Sequence, residues 1–233
     1  MHLKHALTAV VALGLLVSPS WAKTPGEEAQ DIVAAEPKAK GIWVARDNGI
    51  VMHAKSGLKC PAGDTDYGNH NQILRLKGIS VDDTAGNRVT CHFDVISKGN
   101  PSVPPMKLAI TTEHKSAGSG EPLDRARTAF LSVNPGWKPD TKANAFHQRE
   151  FSGKYELKTK VGIFTARVFS FRNDDGAKPM LAHVAAGEIR DWILIFTIAG
   201  SESETEITTA DSALLLSLWT DIGGDVLDAA TAR

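Results

Sequence analysis

Residues 192–199 read Trp-Ile-Leu-Ile-Phe-Thr-Ile-Ala, and this segment limits the fold more than any other. It is far shorter than the roughly 20 apolar residues that cross a bilayer, and its β-branched and aromatic content suits a strand. Alternate side chains of a strand point to opposite faces. Trp192, Leu194, Phe196 and Ile198 therefore share one face, and Ile193 and Ile195 share the other. With both faces apolar, the strand belongs in the middle of a sheet that is covered on each side.

The rest of the chain supplies neighbours for it. Runs at 42–46 and 50–54 flank Asp47, Asn48 and Gly49, and the Asn-Gly step signals a hairpin. Further strand patterns cover 72–80, 88–97, 106–114, 151–158, 161–172, 178–186 and 190–199. In one, Val89, Cys91, Phe93 and Val95 oppose Arg88, Thr90, His92 and Asp94; in another, Met106, Leu108 and Ile110 oppose Lys107 and Thr111. Residues 62–71 and 138–148 read as polar connections.

Two segments have helical spacing. Pro122 suits a first turn, Leu123, Ala126, Phe130 and Val133 form a stripe, and Asn134, Pro135 and Gly136 stop it. Near the end, Thr208 and Asp211 resemble a capping box ahead of the stripe Leu215, Leu218, Trp219 and Ile222, with Gly223 and Gly224 after it. Strands joined by short turns pair antiparallel, so the expected class is α+β: a meandering, largely antiparallel sheet with helices packed on it.

The first 22 residues read as a cleavable signal peptide. Lys4 precedes an apolar run over 6–17, Pro19 breaks it, and Ser20 and Ala22 are small at the −3 and −1 positions of a cut before Lys23. The expected organisation is a signal peptide at 1–22, a flexible leader at 23–40, one α+β domain at 41–224 and a tail at 225–233. A division near 115–120 is the alternative. A net charge of −1 supplies no electrostatic pull toward nucleic acid. No segment after the cut is long enough to span a membrane. An exported chain meets an oxidising compartment, where Cys60 and Cys91 are expected to form one structural disulfide.

The run Ser56, Gly57, Leu58, Lys59, Cys60, Pro61, with a second cysteine inside the strand Val89, Thr90, Cys91, His92, Phe93, resembles a loose group of uncharacterised exported bacterial proteins. A late strand at 192–199 followed by an Asp/Ala/Leu-rich segment at 209–222 adds to that likeness. In element order the chain is similar to the PsbP/DcrB-like α-β-α sandwich. These resemblances imply a periplasmic accessory or binding protein. They carry no catalytic residue over to this sequence.

The candidate chemistry is sparse. Asp64, Asp66 and Asn69 lie in a donor-rich segment with His70 and Asn71 that can serve a hard cation or simply build turns. His92 and Asp94 share the outer face of one strand, where zinc would need a third ligand from a neighbour. His53, His114, His147 and His183 stand in no HxH or HExxH pattern. The Gly-x-Ser-x-Gly turn of a hydrolase is absent, and a Ser–His–Asp site assembled from distant residues remains open because geometry defines it. Trp137, held between Pro135-Gly136 and Lys138-Pro139, either plugs the core from a loop or contacts a ligand or partner. The expectation is a periplasmic or secreted binding or accessory module without a cofactor, for an unknown protein or small-molecule ligand. The alternative is a hydrolase or metal-dependent enzyme with a dispersed site.

Overall fold

The computed structural model describes residues 23–201, apart from 68–71, 100, 101, 103, 152, 153, 160, 161, 177 and 178. The signal peptide, the helix expected near 208–222, the tail, and Asn69, His70 and Asn71 lie outside the described residues. In chain order the elements begin with helix α1 (Pro25–Ala35), followed by strands β1 (Trp43–Ala45), β2 (Ile50–His53), β3 (Lys59–Pro61) and β4 (Asp64–Tyr67). Three long strands follow, β5 (Gln72–Val81), β6 (Arg88–Ser97) and β7 (Met106–His114), then α2 (Pro122–Val133). The remainder is β8 (Lys138–Pro139), α3 (Thr141–Phe151), β9 (Lys154–Thr159), β10 (Gly162–Asn173), β11 (Met180–Ile189) and β12 (Trp192–Ser201). No helix of the described residues is long and apolar enough to cross a membrane.

The fold is α+β. Strands β1, β2 and β3 form a small antiparallel sheet, and the others form a larger one in the order β4-β5-β6-β7-β12-β11-β10-β8, with β9 also on β10. All the pairs are antiparallel, and β12 sits between β7 and β11 as its two apolar faces require. Leu194, Phe196 and Ile198 enter one core with Trp43, Val51, Leu58, Cys60 and Cys91, while Ile193 and Ile195 enter a second with Leu123, Ala126, Phe130 and Phe171. The first core lies under the small sheet and α1; α2 covers the second. Pro139, which has no N–H to donate, is tolerated because β8 is a short edge strand.

The disulfide joins the two sheets. Cys60 on β3 and Cys91 on β6 are bonded, with 6.4 Å between their Cα atoms, and neither is exposed. The alternation that turns Cys91 inward on β6 therefore pins the small sheet to the large one.

Four expectations need correction. The leader is not a flexible coil over its length, because residues 25–35 form α1. Thr24 and Glu27 close a capping box there, Pro25 occupies the first turn, and Ala29 is fully buried. The stretch 62–71 contains strand β4, and 138–148 contains most of α3. Val133, placed on the buried stripe of α2, is 76% exposed, since only Leu123, Ala126 and Phe130 of that helix reach the core.

The first hairpin turns at Gly49, whose φ is +81°, and a Cβ there would lie 2.6 Å from the Cβ of Pro25. Gly49→Ala meets both a backbone penalty and a clash with α1. A loss of about 2 kcal/mol is expected, seen as a lower urea midpoint with an unchanged slope. An unaltered midpoint would show that α1 yields freely.

Candidate functional site

The two acids proposed for a cation face cations of the protein's own. Asp64 stands directly opposite Arg75 in the β4–β5 register. The guanidinium donates to both carboxylate oxygens, at 2.6 and 2.8 Å, and holds the Asp64 carboxyl below the ordinary carboxylate range. Asp66 pairs with Lys98. His92 and Asp94 do share the outer face of β6, but they turn to different neighbours: the imidazole to Ser80 Oγ of β5 at 3.1 Å, the carboxylate to Lys107 Nζ of β7 at 2.6 Å. Among the described residues no three His, Cys, Asp or Glu side chains gather as a metal would require.

A serine with two imidazoles is assembled from three separate elements. Asp140 caps the start of α3, its Oδ1 accepting from Ala143 N at 2.9 Å. One turn on, Asn144 makes two hydrogen bonds to the backbone of Ser170 on β10: its Nδ2 donates to the carbonyl at 2.9 Å, and its Oδ1 accepts from the amide at 2.8 Å. Ser170 Oγ then lies 3.0 Å from His147 Nε2 of α3 and 2.6 Å from His183 Nδ1 of β11. A hydroxyl has one proton, so it donates to one ring and accepts from the other. His183 Nε2 has no partner, and a bare acceptor nitrogen costs less there than an orphaned N–H. The proton of His183 therefore sits on Nδ1 and points at Ser170, and the serine proton points at His147.

Burial pushes His183 down to about 3, with His147 adding repulsion, and burial lowers His147 as well. Both rings are neutral at neutral pH. The pairing has the atoms of a nucleophile and its base, yet Ser170 is 1% exposed and each histidine 3%. No substrate carbonyl reaches Oγ while α3 is in place. The cluster serves to clip α3 onto the large sheet.

Two more polar sets are closed in the same way. His53 of β2 is fully buried, with its Nδ1 2.7 Å from Ser56 Oγ, which is 3.1 Å from Thr112 Oγ1 of β7. Trp43 and Trp192 flank that imidazole at 5.5 Å. Burial, the leading cause, pushes His53 down to about 4. Glu113, 3% exposed, is clamped between Arg88 and Arg125, and Arg88 also reaches Asp82 at 2.7 Å.

Trp137 is half-buried. Its ring meets Phe130 edge-on at 5.4 Å, and Phe130 stacks on Phe171 at 4.9 Å, so the loop tryptophan closes the second core beside α2. Trp137→Ala is expected to lower stability by about 2 kcal/mol, less than a fully buried aromatic would. Trp137→Phe should recover most of that. Equal losses for the two would place the stability elsewhere than in the ring contact.

Two of the clefts formed by the described residues open to solvent. One, of about 290 Å³, lies at the start of α2 beside Arg167 and Glu188; Arg167 reaches Glu121 at 3.5 Å, and Lys115 pairs with Glu188 at 2.6 Å. The other, of about 540 Å³, lies on the outer face of the small sheet. Its floor is Ile50 and Met52, and Arg46 and Lys59 stand at its sides. Sequence patterning missed this cleft, because half-buried outward residues of a short hairpin look like ordinary surface. No protein-family model matches the chain, and comparison with curated proteins finds no relative.

Proposed function

We propose that this chain is an exported, disulfide-braced binding or accessory module of the periplasm or extracellular space, acting through its surface rather than by bond chemistry. The observation that carries this reading is where the reactive groups lie. The histidine contacts of Ser170 and Ser56 are sealed in the cores, and the acids singled out in the sequence are held by Arg75, Lys98 and Lys107. Solvent meets instead a cleft with an apolar floor and cationic sides. A buried disulfide suits an oxidising compartment, and the signal-like start of the sequence supports export. The likeness to exported two-cysteine proteins and to the PsbP/DcrB-like arrangement favours the same accessory role.

Native mass spectrometry of the protein taken from its own compartment tests this. The expected species begins at Lys23, is two hydrogens lighter than the reduced chain, and retains a ligand or protein partner. Substrate turnover by the purified chain, abolished by Ser170→Ala, would refute it.

A further inference from the structure

We propose that the outer face of the small sheet binds an amphipathic monocarboxylate, of the chemical class of a medium-chain fatty acid. This rests on the reading of the chain as a binding module and names its ligand. Strand alternation divides the small sheet into two faces. Trp43, Val51, His53 and Cys60 point into the core, while Val44, Ile50, Met52 and Lys59 are half-buried on the other side. The pairings Val44 with Met52 and Met52 with Lys59 set these three side by side across the strands, and Ile50 lies two residues from Met52 on the same face. The result is a short apolar floor in a cleft of about 540 Å³, within the size range of small-molecule sites. Methionine adapts to an alkyl chain, and the methylene stems of Arg46 and Lys59 extend the apolar walls.

The charge of the cleft selects the head group. Lys23, Arg75, Lys98 and Lys107 each have a carboxylate partner. Among the described residues neither Arg46 nor Lys59 lies within ion-pair distance of one. Asp47 also lines the cleft and leaves a surplus of one positive charge, which a monoanion neutralises. The turn that carries Arg46 and Asp47 is held by α1, where Gly26 approaches Asp47 so closely that a Cβ would lie 2.8 Å from its carbonyl oxygen. The cleft is thus preorganised at its charged end, and the carboxylate of the ligand lies between Arg46 and Lys59 with its chain along Ile50 and Met52.

The test titrates the oxidised protein with dodecanoate, with dodecyltrimethylammonium and with acetate, followed by calorimetry and by amide NMR shifts. The expected result is saturable one-to-one binding of dodecanoate alone, with shifts on β1, β2 and β3. Arg46→Ala and Lys59→Ala each weaken it about tenfold without changing the melting temperature, and Met52→Asn weakens it with both cations intact. Equal binding of the cationic amphiphile, shifts elsewhere, or full affinity in the Arg46→Ala/Lys59→Ala double variant overturns the inference. No saturable binding of dodecanoate overturns it too. The binding-module reading then stands or falls separately, on whether the native protein carries another passenger.

Discussion

Replacing Cys60 and Cys91 together by alanine lowers the unfolding free energy by about 3.5 kcal/mol, the loop-closure entropy released when a closed loop of about 30 residues opens. The residues are 31 apart in sequence and neither is exposed. The loss falls unevenly, because the bond ties the small sheet, with few strands of its own, to a large sheet that keeps its ladder. Hydrogen exchange should therefore quicken first in β1, β2 and β3, well before β6, β7 and β12 respond. Urea denaturation of the double variant gives the total, and exchange gives its distribution. A loss below about 1 kcal/mol would show that the shared core around Trp43, Val51 and Leu58 holds the sheets together unaided. Because both sulfurs are buried, thiol reagents should reduce the native bond only at the rate at which the sheets part.

The second large effect is acid sensitivity. His53 and His183 have folded-state values of about 4 and about 3 against an ordinary 6.5, with burial the leading cause in both. Their folded values are depressed, so the unfolded chain binds more protons whenever the pH is below 6.5. The stabilisation from keeping each ring neutral is complete above pH 6.5. It is lost progressively as the pH falls, until about 4 for His53 and about 3 for His183. Between pH 7.5 and 5 each costs about 2 kcal/mol, or about 4 together, and His147 adds in the same direction. That window lies above the range in which Asp64 and Glu27, with lowered values, begin to protonate. Urea midpoints measured at pH 7.5, 6 and 5 should fall steadily, and His53→Gln should reduce the slope by about half even if it lowers the starting stability. A midpoint independent of pH across that window would mean that both imidazoles find a proton acceptor when charged.

The sequence predicted the parts of this fold that depend on apolar alternation. β12 is central because both of its faces are apolar, and β6 and β7 bury the apolar sets of their period-two patterns, although Thr90 and Thr111 on the opposite faces are buried as well. The disulfide was legible because only two cysteines exist and one lies on the inward face of β6. Elements held by polar contacts were not legible. α3 docks through Asn144 and His147 onto Ser170, and a hydrophobic stripe search passes over such a helix. α1 carried a readable signal in Thr24, Pro25 and Glu27, but its buried residues are only Gly26 and Ala29, so its composition resembles a linker. The serine–histidine cluster draws on α3, β10 and β11, and no local spacing foretells that meeting. The cleft under Arg46 and Lys59 was hidden for another reason: its floor is an ordinary hairpin until three dimensions show that neither cation has an ion-pair partner among the described residues.

The pairing of β7 with β12 has a consequence for how the molecule assembles. These strands match from His114 opposite Trp192 to Lys107 opposite Ala199, a contact between positions roughly 80 or more residues apart, of the kind that slows folding because a long loop must close before it is rewarded. β5, β6 and β7 can form as one meander and β10 and β11 as part of another, but β12 is the last of the described strands to leave a ribosome or a translocon. Until it arrives, Leu108 and Ile110 on one edge and Val184 and Ala186 on the other lack the strand that buries them between two layers. The central strand is thus the last of the described strands to join, and until it settles those two edges are open to aggregation.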